Sequence, residues 1–185
     1  MFAGKASVGR RSREGSRGFS LLEVLMAIGV LTVGVISLAM LIPFATRNDY
    51  RSRIDTTATF IAMRHLEQMM AQSYSSASFL DAVDNPAVNP SQNISLTAGG
   101  AQLDASGNID FTQPQAALPA GYWRLYTIAP GAGGGTKVNA GTYEIRWNVA
   151  VNANGVKTFV VAVMTTSPLP GTTPVPANVR AVQMR

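Results

Sequence analysis

Hydrophobic residues are unevenly distributed along the chain, and the longest uninterrupted group of them lies near the N-terminus. No residue from Val24 to Ala45 is charged. At a rise of about 1.5 Å per residue, this run of about 22 residues would reach roughly 33 Å as a helix, which is enough to cross a hydrocarbon core of about 30 Å. The pattern therefore predicts a membrane-inserting helix and not a helix that is buried in a protein core.

The pattern changes after Pro43, where the sequence becomes more polar but keeps a helical period. Apolar side chains and one histidine recur at steps of three and four, as on one face of an amphipathic helix. These residues are Ile54, Ala58, Ile61, Ala62, His65, Leu66 and Met69. We expect the helix to kink near Ala39, because Pro43 lacks a backbone donor, and to end near Gln72. His65 is the only histidine of the chain, and we expect it to be structural.

The last third of the chain predicts an antiparallel sheet. Four segments have the composition or the alternation of strands: Tyr122–Ile128, Tyr143–Val151, Lys157–Thr166 and Val179–Met184. Asn154-Gly155 suits a tight hairpin turn between two of them. The stretch from Ala77 to about Pro119 contains many turn-forming dipeptides, so we expect a connection with at most short strands near Ile94–Thr97 or Ile109–Thr112.

Positive charge is concentrated in the first 18 residues. This leader contains several basic residues and one acid, Glu14; the basic residues are Lys5, Arg10, Arg11, Arg13 and Arg17. The positive-inside rule places such a leader in the cytoplasm and the rest of the chain outside it. Removing the leader takes away most of the formal net charge of +5. The remaining charges are interspersed rather than gathered in a patch, so we do not expect DNA as a partner.

Glu23 is a single acid at the start of the uncharged run, close to the end of the basic leader. A carboxylate at the edge of a membrane segment is costly and calls for a functional reason. A secretory signal would be cut after its apolar region, at a small-residue site, but Ile42–Thr46 is a poor site of this kind. Cleavage between Gly18 and Phe19 would instead remove the basic charges and leave Glu23 close to a new amino terminus.

The segment Gly18-Phe19-Ser20-Leu21-Leu22-Glu23-Val24-Leu25 resembles the processing motif of type IV prepilins and pseudopilins. The resemblance implies that a prepilin peptidase cuts after Gly18 and that the new N-terminal residue, Phe19, is methylated. It also implies that Glu23 pairs with the free amino terminus of a neighbouring subunit during assembly. An ionised carboxylate in a low-dielectric helical bundle needs such a partner. A weaker resemblance over Thr57–Met69 is to minor pilins of the type IV pilus modification (PilV-like) class.

The pattern and the resemblance together predict an α+β, pilin-like fold. A long N-terminal helix, membrane-spanning in its first half and amphipathic in its second, would pack against a small C-terminal sheet of three or four antiparallel strands. The expected segments are a cleaved basic leader, a hydrophobic transmembrane and assembly helix, an amphipathic helix, a loop-rich connection, and the sheet of a globular head. Their respective ranges are 1–18, 19–45, 46–76, 77–121 and 122–185.

The function implied by this resemblance is that of a minor type IV pilin, a non-enzymatic subunit that helps to initiate, modify or cap a pilus. The implied partners are other pilin subunits, the prepilin peptidase, the inner-membrane assembly platform and, before assembly, membrane lipid. A single N-terminal helix would hold the protein in the inner membrane with its head in the periplasm, before it enters the pilus. Two alternatives stay open: a minor pseudopilin of a type II secretion system, and a monomeric membrane-anchored binding domain.

The residues give no sign of catalytic or cofactor chemistry. The acids of the head are scattered in the sequence and not clustered as calcium ligands are. The glycine run Gly131–Gly135 precedes no helix, so we expect a surface loop and not a phosphate-binding loop. We therefore expect no metal, no cofactor and no enzymatic activity. The chain has no cysteine, so packing and hydrogen bonds must hold its head without a disulfide.

Overall fold

The computed structural model describes residues 19–81, 85–129, 141–168 and 172–185. The leader 1–18, which includes Gly18, and the glycine run Gly131–Gly135 lie outside the described residues. The chain divides into two compact units, Met1–Thr46 and Arg47–Arg185. One long helix, α1 (Leu21–Met70), contributes residues to both.

The described part of the first unit is dominated by the N-terminal half of α1, in which every residue from Leu21 to Thr46 is exposed. Apolar side chains surround this half of the helix, so it has no polar face to present to water. Its hydroxyl groups bond within the helix: Thr32 Oγ1, Ser37 Oγ and Thr46 Oγ1 each donate to the carbonyl oxygen four residues earlier, at 2.7, 2.8 and 2.8 Å. Polar groups must be satisfied internally in this way if a helix is to enter lipid.

The second half of α1 ends at Met70, so the last residues of the predicted segment 46–76 form turns instead of helix. These turns are held by a side chain from the sheet. Lys157 Nζ donates hydrogen bonds to the carbonyl oxygens of Tyr74, at 2.5 Å, and Ser76, at 3.4 Å.

Seven strands follow α1 among the described residues. They are β1 (Ser78–Asp81), β2 (Gln92–Ser95), β3 (Gly99–Gly100), β4 (Trp123–Ile128), β5 (Gly141–Val151), β6 (Lys157–Thr165) and β7 (Ala177–Gln183). β1 and β2 form a separate two-stranded sheet. The other five form one antiparallel sheet in the order β3-β5-β6-β7, in which β4 also pairs with β5.

The expectation of one long apolar N-terminal helix and a small antiparallel sheet is confirmed. β4 to β7 lie within two residues of the four predicted strands. The expectation of three or four strands is wrong, because the segment 77–121 also supplies β3 to the main sheet and forms β1 and β2. The connection is therefore a structural part of the head.

One face of the main sheet packs against the second half of α1. Trp147, at the centre of β5, is fully buried there, and its indole Nε1 donates to the Ser95 carbonyl oxygen at 3.0 Å. The other buried residues of this core are Ala58, Ile61, Ala62 and Met69 of α1, Ile94 and Leu96, Tyr122, Tyr143, Ile145 and Val149, and Phe159, Val161 and Val163. Burying each large side chain contributes about 1.5–3 kcal/mol. This packing gives the sheet the cover that it needs on this face.

The opposite face of the sheet carries polar residues of β5. Glu144 and Arg146 are buried, because the segment between β3 and β4 folds across them. Arg146 Nε donates to Glu144 Oε1 at 2.8 Å, and Arg146 NH1 donates to the Gln113 carbonyl oxygen at 2.7 Å. The same segment provides a second small core, formed by Ala101, Ile109 and Leu118 with Val160 and Ala162. The sheet is thus covered on both faces.

Gly100 allows β3 to pair closely with β5. Its φ is +124°, a region that side-chain-bearing residues rarely adopt. A Cβ atom at this position would lie 2.8 Å from Asn148 Cα. Any other residue here would therefore separate the two strands.

The side chain of Asn89 covers part of the free edge of β4. Its Oδ1 accepts a hydrogen bond from the Thr127 N–H at 2.7 Å, and its Nδ2 donates to the Thr127 carbonyl oxygen at 3.0 Å. These are the two backbone groups that a further strand would use for pairing. Asn89 is 5% exposed, so the amide is a fixed part of the head.

Candidate functional site

The N-terminus of α1 is organised by Ser20, which lies directly before the first helical residue. The Ser20 side-chain oxygen accepts a hydrogen bond from the Leu22 N–H at 3.2 Å, and its carbonyl oxygen accepts one from the Val24 N–H at 3.1 Å. Serine is among the preferred residues at this capping position. The start of the helix is therefore encoded locally, immediately after Phe19.

Glu23 lies in the first turn of α1, three residues after the cap. Ser20-Leu21-Leu22-Glu23 has the spacing of a capping box, in which a glutamate can also accept from the backbone N–H of the capping residue. A negative charge in the first turn is favourable for the helix dipole. The sequence analysis missed this local role, although the Ser-x-x-Glu spacing could have indicated it.

The structure places two of the three predicted processing and assembly residues. Phe19 is 80% exposed and precedes the cap, and Glu23 is exposed in the first turn. The third, Gly18, lies outside the described residues. Among the described residues, the Glu23 carboxylate has no ion-pair partner. The positively charged partner that the resemblance implies for Glu23 would therefore have to come from outside the described residues.

The residues that follow Glu23 form an exposed apolar surface. Large side chains such as Leu31 and Val33, both 66% exposed, continue along the helix. In the part of the chain that the structure describes, α1 is the one helix that is long and apolar enough to cross a membrane by length and composition. Exposed apolar surfaces of this extent mark sites of contact with membranes or other proteins.

The head contains a buried polar cluster that the sequence analysis did not find. Asp81, at the end of β1, is 4% exposed and forms an ion pair with Arg124 of β4, which is 2% exposed. Gln68 Nε2 of α1 donates to Asp81 Oδ1 at 3.1 Å. The cluster joins the helix, the small sheet and the main sheet. No local sequence pattern predicts it, because the paired residues are 43 positions apart.

His65 is part of the same core. Its ring lies against Trp147, with 4.8 Å between the ring centroids, and the residue is 2% exposed. Burial, together with the nearby charge of Arg124, lowers the pKa of His65 from 6.5 to about 3. The imidazole is therefore neutral near pH 7. Groups of three or more His, Asp or Glu side chains that could hold a metal ion are not found among the described residues.

Comparison of the chain with protein-family models, with curated proteins and with solved structures finds no significant match. The functional argument therefore rests on the residues around the N-terminus of α1 and on the packing of the head.

Proposed function

We propose that this chain is a minor type IV pilin, a non-enzymatic subunit that is processed by a prepilin peptidase and helps to initiate, modify or cap a pilus. The observation that carries the proposal is the position of the Gly18–Leu25 motif relative to α1. The proposed cleavage site precedes a capped helix start, Glu23 lies in the first helical turn, and the uncharged exposed run follows it.

In the proposed reaction, the peptidase hydrolyses the bond between Gly18 and Phe19 and releases the basic leader. The new amino group belongs to Phe19. It attacks the methyl group of a methyl-donor cosubstrate of the processing enzyme, the bond between that methyl group and the donor breaks, and the amine loses one proton. Because Ser20 caps the helix immediately after it, the new terminus would be only one residue from a regular helical start. Removal of the leader also removes the charges that keep this end of the chain in the cytoplasm.

Glu23 then serves assembly in this proposal. Its carboxylate pairs with the amino terminus of a neighbouring subunit when the apolar helices come together. Two opposite charges attract each other much more strongly between apolar helices than in water, and a buried carboxylate without a partner is strongly unfavourable. The pair therefore favours assembly with one particular register of neighbouring helices.

The first experiment measures the mass of the mature N-terminal peptide from a strain that expresses the prepilin peptidase. The proposal requires a peptide that begins at Phe19 and carries one additional methyl group. A peptidase-deficient strain is the control, and there the leader should remain attached. An intact leader in both strains would refute the proposal and favour a monomeric membrane-anchored domain.

The second experiment separates the assembly role of Glu23 from its capping role. Glu23→Gln keeps a side chain that suits the capping box but removes the charge, whereas Glu23→Ala removes both. We expect both variants to be inserted and cleaved normally and to be recovered poorly in sheared pili. Ser20→Ala, which weakens the cap by about 1 kcal/mol and leaves the charge, is the matched control and should assemble.

Wild-type recovery of Glu23→Gln in pili would contradict the pairing role and leave capping as the function of Glu23. The machine is identified by co-purification after cross-linking. Recovery with pilus subunits supports the proposal, whereas recovery with secretion-system subunits would replace it by a minor pseudopilin of a type II secretion system.

A further inference from the structure

The two long edge strands of the main sheet differ in how their outer sides are covered. At the edge of β4, the Asn89 side chain bonds both backbone groups of Thr127. β7 forms the opposite edge, and β6 is the one described strand that pairs with it. An edge strand presents unpaired backbone N–H and carbonyl groups that another chain can use.

The hydrogen-bond pattern shows which backbone groups of β7 face away from the sheet. In an antiparallel pair, alternate residues of a strand bond to its neighbour. The Thr166 N–H donates to the Thr142 carbonyl oxygen at 2.9 Å, which places the bonds between β5 and β6 at even-numbered residues. The odd-numbered residues of β6 therefore bond to the odd-numbered residues of β7 with which they are in register. The outward-facing backbone groups of β7 belong to Asn178, Arg180 and Val182.

These three residues lie open at the edge of the head. Each of them is exposed, and within the described structure their N–H and carbonyl groups have no backbone hydrogen bond to a residue outside the sheet. An extended segment can add to such an edge as a further strand, in which main-chain hydrogen bonds give affinity and alternate side chains give specificity.

Arg180 places a positive charge at the centre of this edge. Its NH2 group donates to the Gly107 carbonyl oxygen at 2.5 Å, which holds the side chain in position. A guanidinium has five N–H donors, and among the described residues this is the one hydrogen bond that they make. The same turn contains an acid, Asp104, but its Oδ1 accepts from the N–H groups of Ser106 and Asn108 at 2.8 and 2.9 Å.

The other face of β7 is apolar. Ala177 and Val179 are half-buried and pack against the core between the second half of α1 and the sheet. The side chains of an added strand would alternate between the same two faces. Those on the core side would meet apolar residues, and the one opposite Arg180 would meet the guanidinium.

We propose that the edge of β7 binds an extended segment of another protein by strand addition, and that this segment carries an acidic residue opposite Arg180 and apolar residues on the core side. Opposite charges in a cross-strand pair favour pairing, and like charges oppose it. A second copy of this chain fits less well, because full antiparallel overlap of two β7 strands would place one Arg180 directly opposite the other. The proposal does not depend on assembly into a pilus, because every residue that it uses lies in the head.

The test is a titration of the full-length chain in detergent micelles at pH 7, observed through its backbone amide resonances. The probe is a nine-residue peptide, blocked at both ends, in which threonine alternates with valine and the central residue is glutamate. The amides of Arg180 and Val182 should shift saturably and exchange more slowly with solvent. The amide of Thr127, which already donates to Asn89, should not shift.

Two further peptides separate the charge from the main-chain pairing. A central lysine in place of glutamate should weaken binding at least about fivefold, because it would face Arg180. N-methyl groups on the central glutamate and on the two nearest threonines keep every side chain but remove the N–H groups that would bond to β7. This peptide should produce no saturable shift.

Two variants test the edge itself. Arg180→Gln removes the charge, so the glutamate and lysine peptides should bind with nearly equal affinity. Arg53→Gln, at an exposed arginine of α1, is the matched control and should keep the preference for glutamate. Val182→Pro removes one outward N–H, a change that edge strands tolerate, and should weaken both peptides at least about threefold. Unchanged amide resonances of β5 show that this variant is folded.

Equal affinity of the wild-type chain for the glutamate and lysine peptides would overturn the proposed partner chemistry. Binding of the N-methylated peptide, or no saturable shift at millimolar glutamate peptide, would overturn strand addition. If the amides of Arg180 and Val182 become protected at high protein concentration without any peptide, the edge pairs with a second copy of the chain and the proposal is wrong.

Discussion

The two units of the chain treat apolar side chains in opposite ways. In the first unit, Ile28 is 54% exposed and Leu31 is 66% exposed, and their neighbours along the helix are exposed as well. In the second unit, Trp147 and Val161 are fully buried, and the apolar face of α1 is covered by the sheet. Both units are rich in apolar residues, so composition alone does not separate them.

The difference shows that the arrangement of apolar residues around a helix decides whether the same chain can cover them. From Ile54 onward, the buried apolar residues of α1 lie on one face, and the same chain supplies the sheet that covers this face. Between Val24 and Ala45 they occupy every face, and no single sheet can cover a helix on all sides. Cover for the first unit must therefore come from lipid or from other molecules.

The largest difference between the two units is expected when one phenylalanine in each unit is replaced by alanine. Phe159 in β6 is 1% exposed, whereas Phe44 is 64% exposed. Phe159→Ala should lower the free energy of unfolding of the head by about 3–5 kcal/mol, because it leaves a cavity in the core. Phe44→Ala should change it by less than about 0.5 kcal/mol.

Urea unfolding of the full chain in micelles, followed by tryptophan fluorescence, measures this comparison, since Trp123 and Trp147 both lie in the second unit. A similar loss of stability in Phe159→Ala and Phe44→Ala would contradict the assignment of the core to the second unit alone.

An intermediate effect is expected from placing a charge on two equally exposed valines. Val35 of the apolar run and Val175 of the head are both 56% exposed. Val35→Asp should oppose membrane insertion by about 3 kcal/mol, whereas Val175→Asp should leave insertion unchanged. The measurement is the fraction of each variant that resists alkaline extraction from membranes. If both variants remain membrane-bound to the same extent, the run does not act as a membrane segment.

The smallest effect is expected at His65. Thr32, Ser37 and Thr46 all bond their hydroxyls within the apolar helix, but His65 Nε2 has no partner in the described head. His65→Phe should therefore raise the free energy of unfolding at pH 7 by about 1 kcal/mol. Chemical denaturation of the full chain in micelles measures this change, and a clear loss of stability would contradict it.

The same variant has a pH signature. The unfolded chain protonates His65 below about pH 6.5, while burial keeps its folded-state pKa near 3. The unfolded state then binds more protons, so wild-type stability should fall between pH 6.5 and pH 4.5, by up to about 1.4 kcal/mol per pH unit. His65→Phe should lack this component. Equal pH dependence in the two proteins would show that His65 is not buried in its neutral form.

Much of the secondary structure could be predicted because its signals are local. The change of period after Pro43 indicates which half of α1 is amphipathic. Asn154-Gly155 predicts the turn between β5 and β6, where Gly155 has a φ of +74° and Asn152 Oδ1 accepts from the Asn154 N–H at 3.0 Å. Each of these features depends on residues that are close in sequence.

The burial of Glu144 and Arg146 could not be predicted from the alternation of β5. Alternation shows that a strand has two different faces, but it does not show whether a distant loop covers the polar one. Here Arg146 NH1 reaches the carbonyl oxygens of Asp110 and Gln113, in a segment without any regular period. The role of the connection 77–121 was missed for the same reason.

The candidate sites show the same difference between features with a local sequence signal and features that form only on folding. The local spacing of Phe19 and Glu23 made them recognisable, and Ser20 could have been recognised from its distance to Glu23. A cavity that His65 and Arg124 help to line could not, because it forms only when the helix and sheet pack together. Local motifs therefore identify the proposed processing site, and only the fold reveals the cavity.

The contact between Asn89 and Thr127 limits how far a strand of another molecule could extend the sheet. Open strand edges promote aggregation through intermolecular sheets. By occupying both backbone groups of Thr127, the Asn89 amide shortens the edge of β4 that a second molecule could extend. A single side chain thereby protects part of the sheet from pairing with the strand of another molecule.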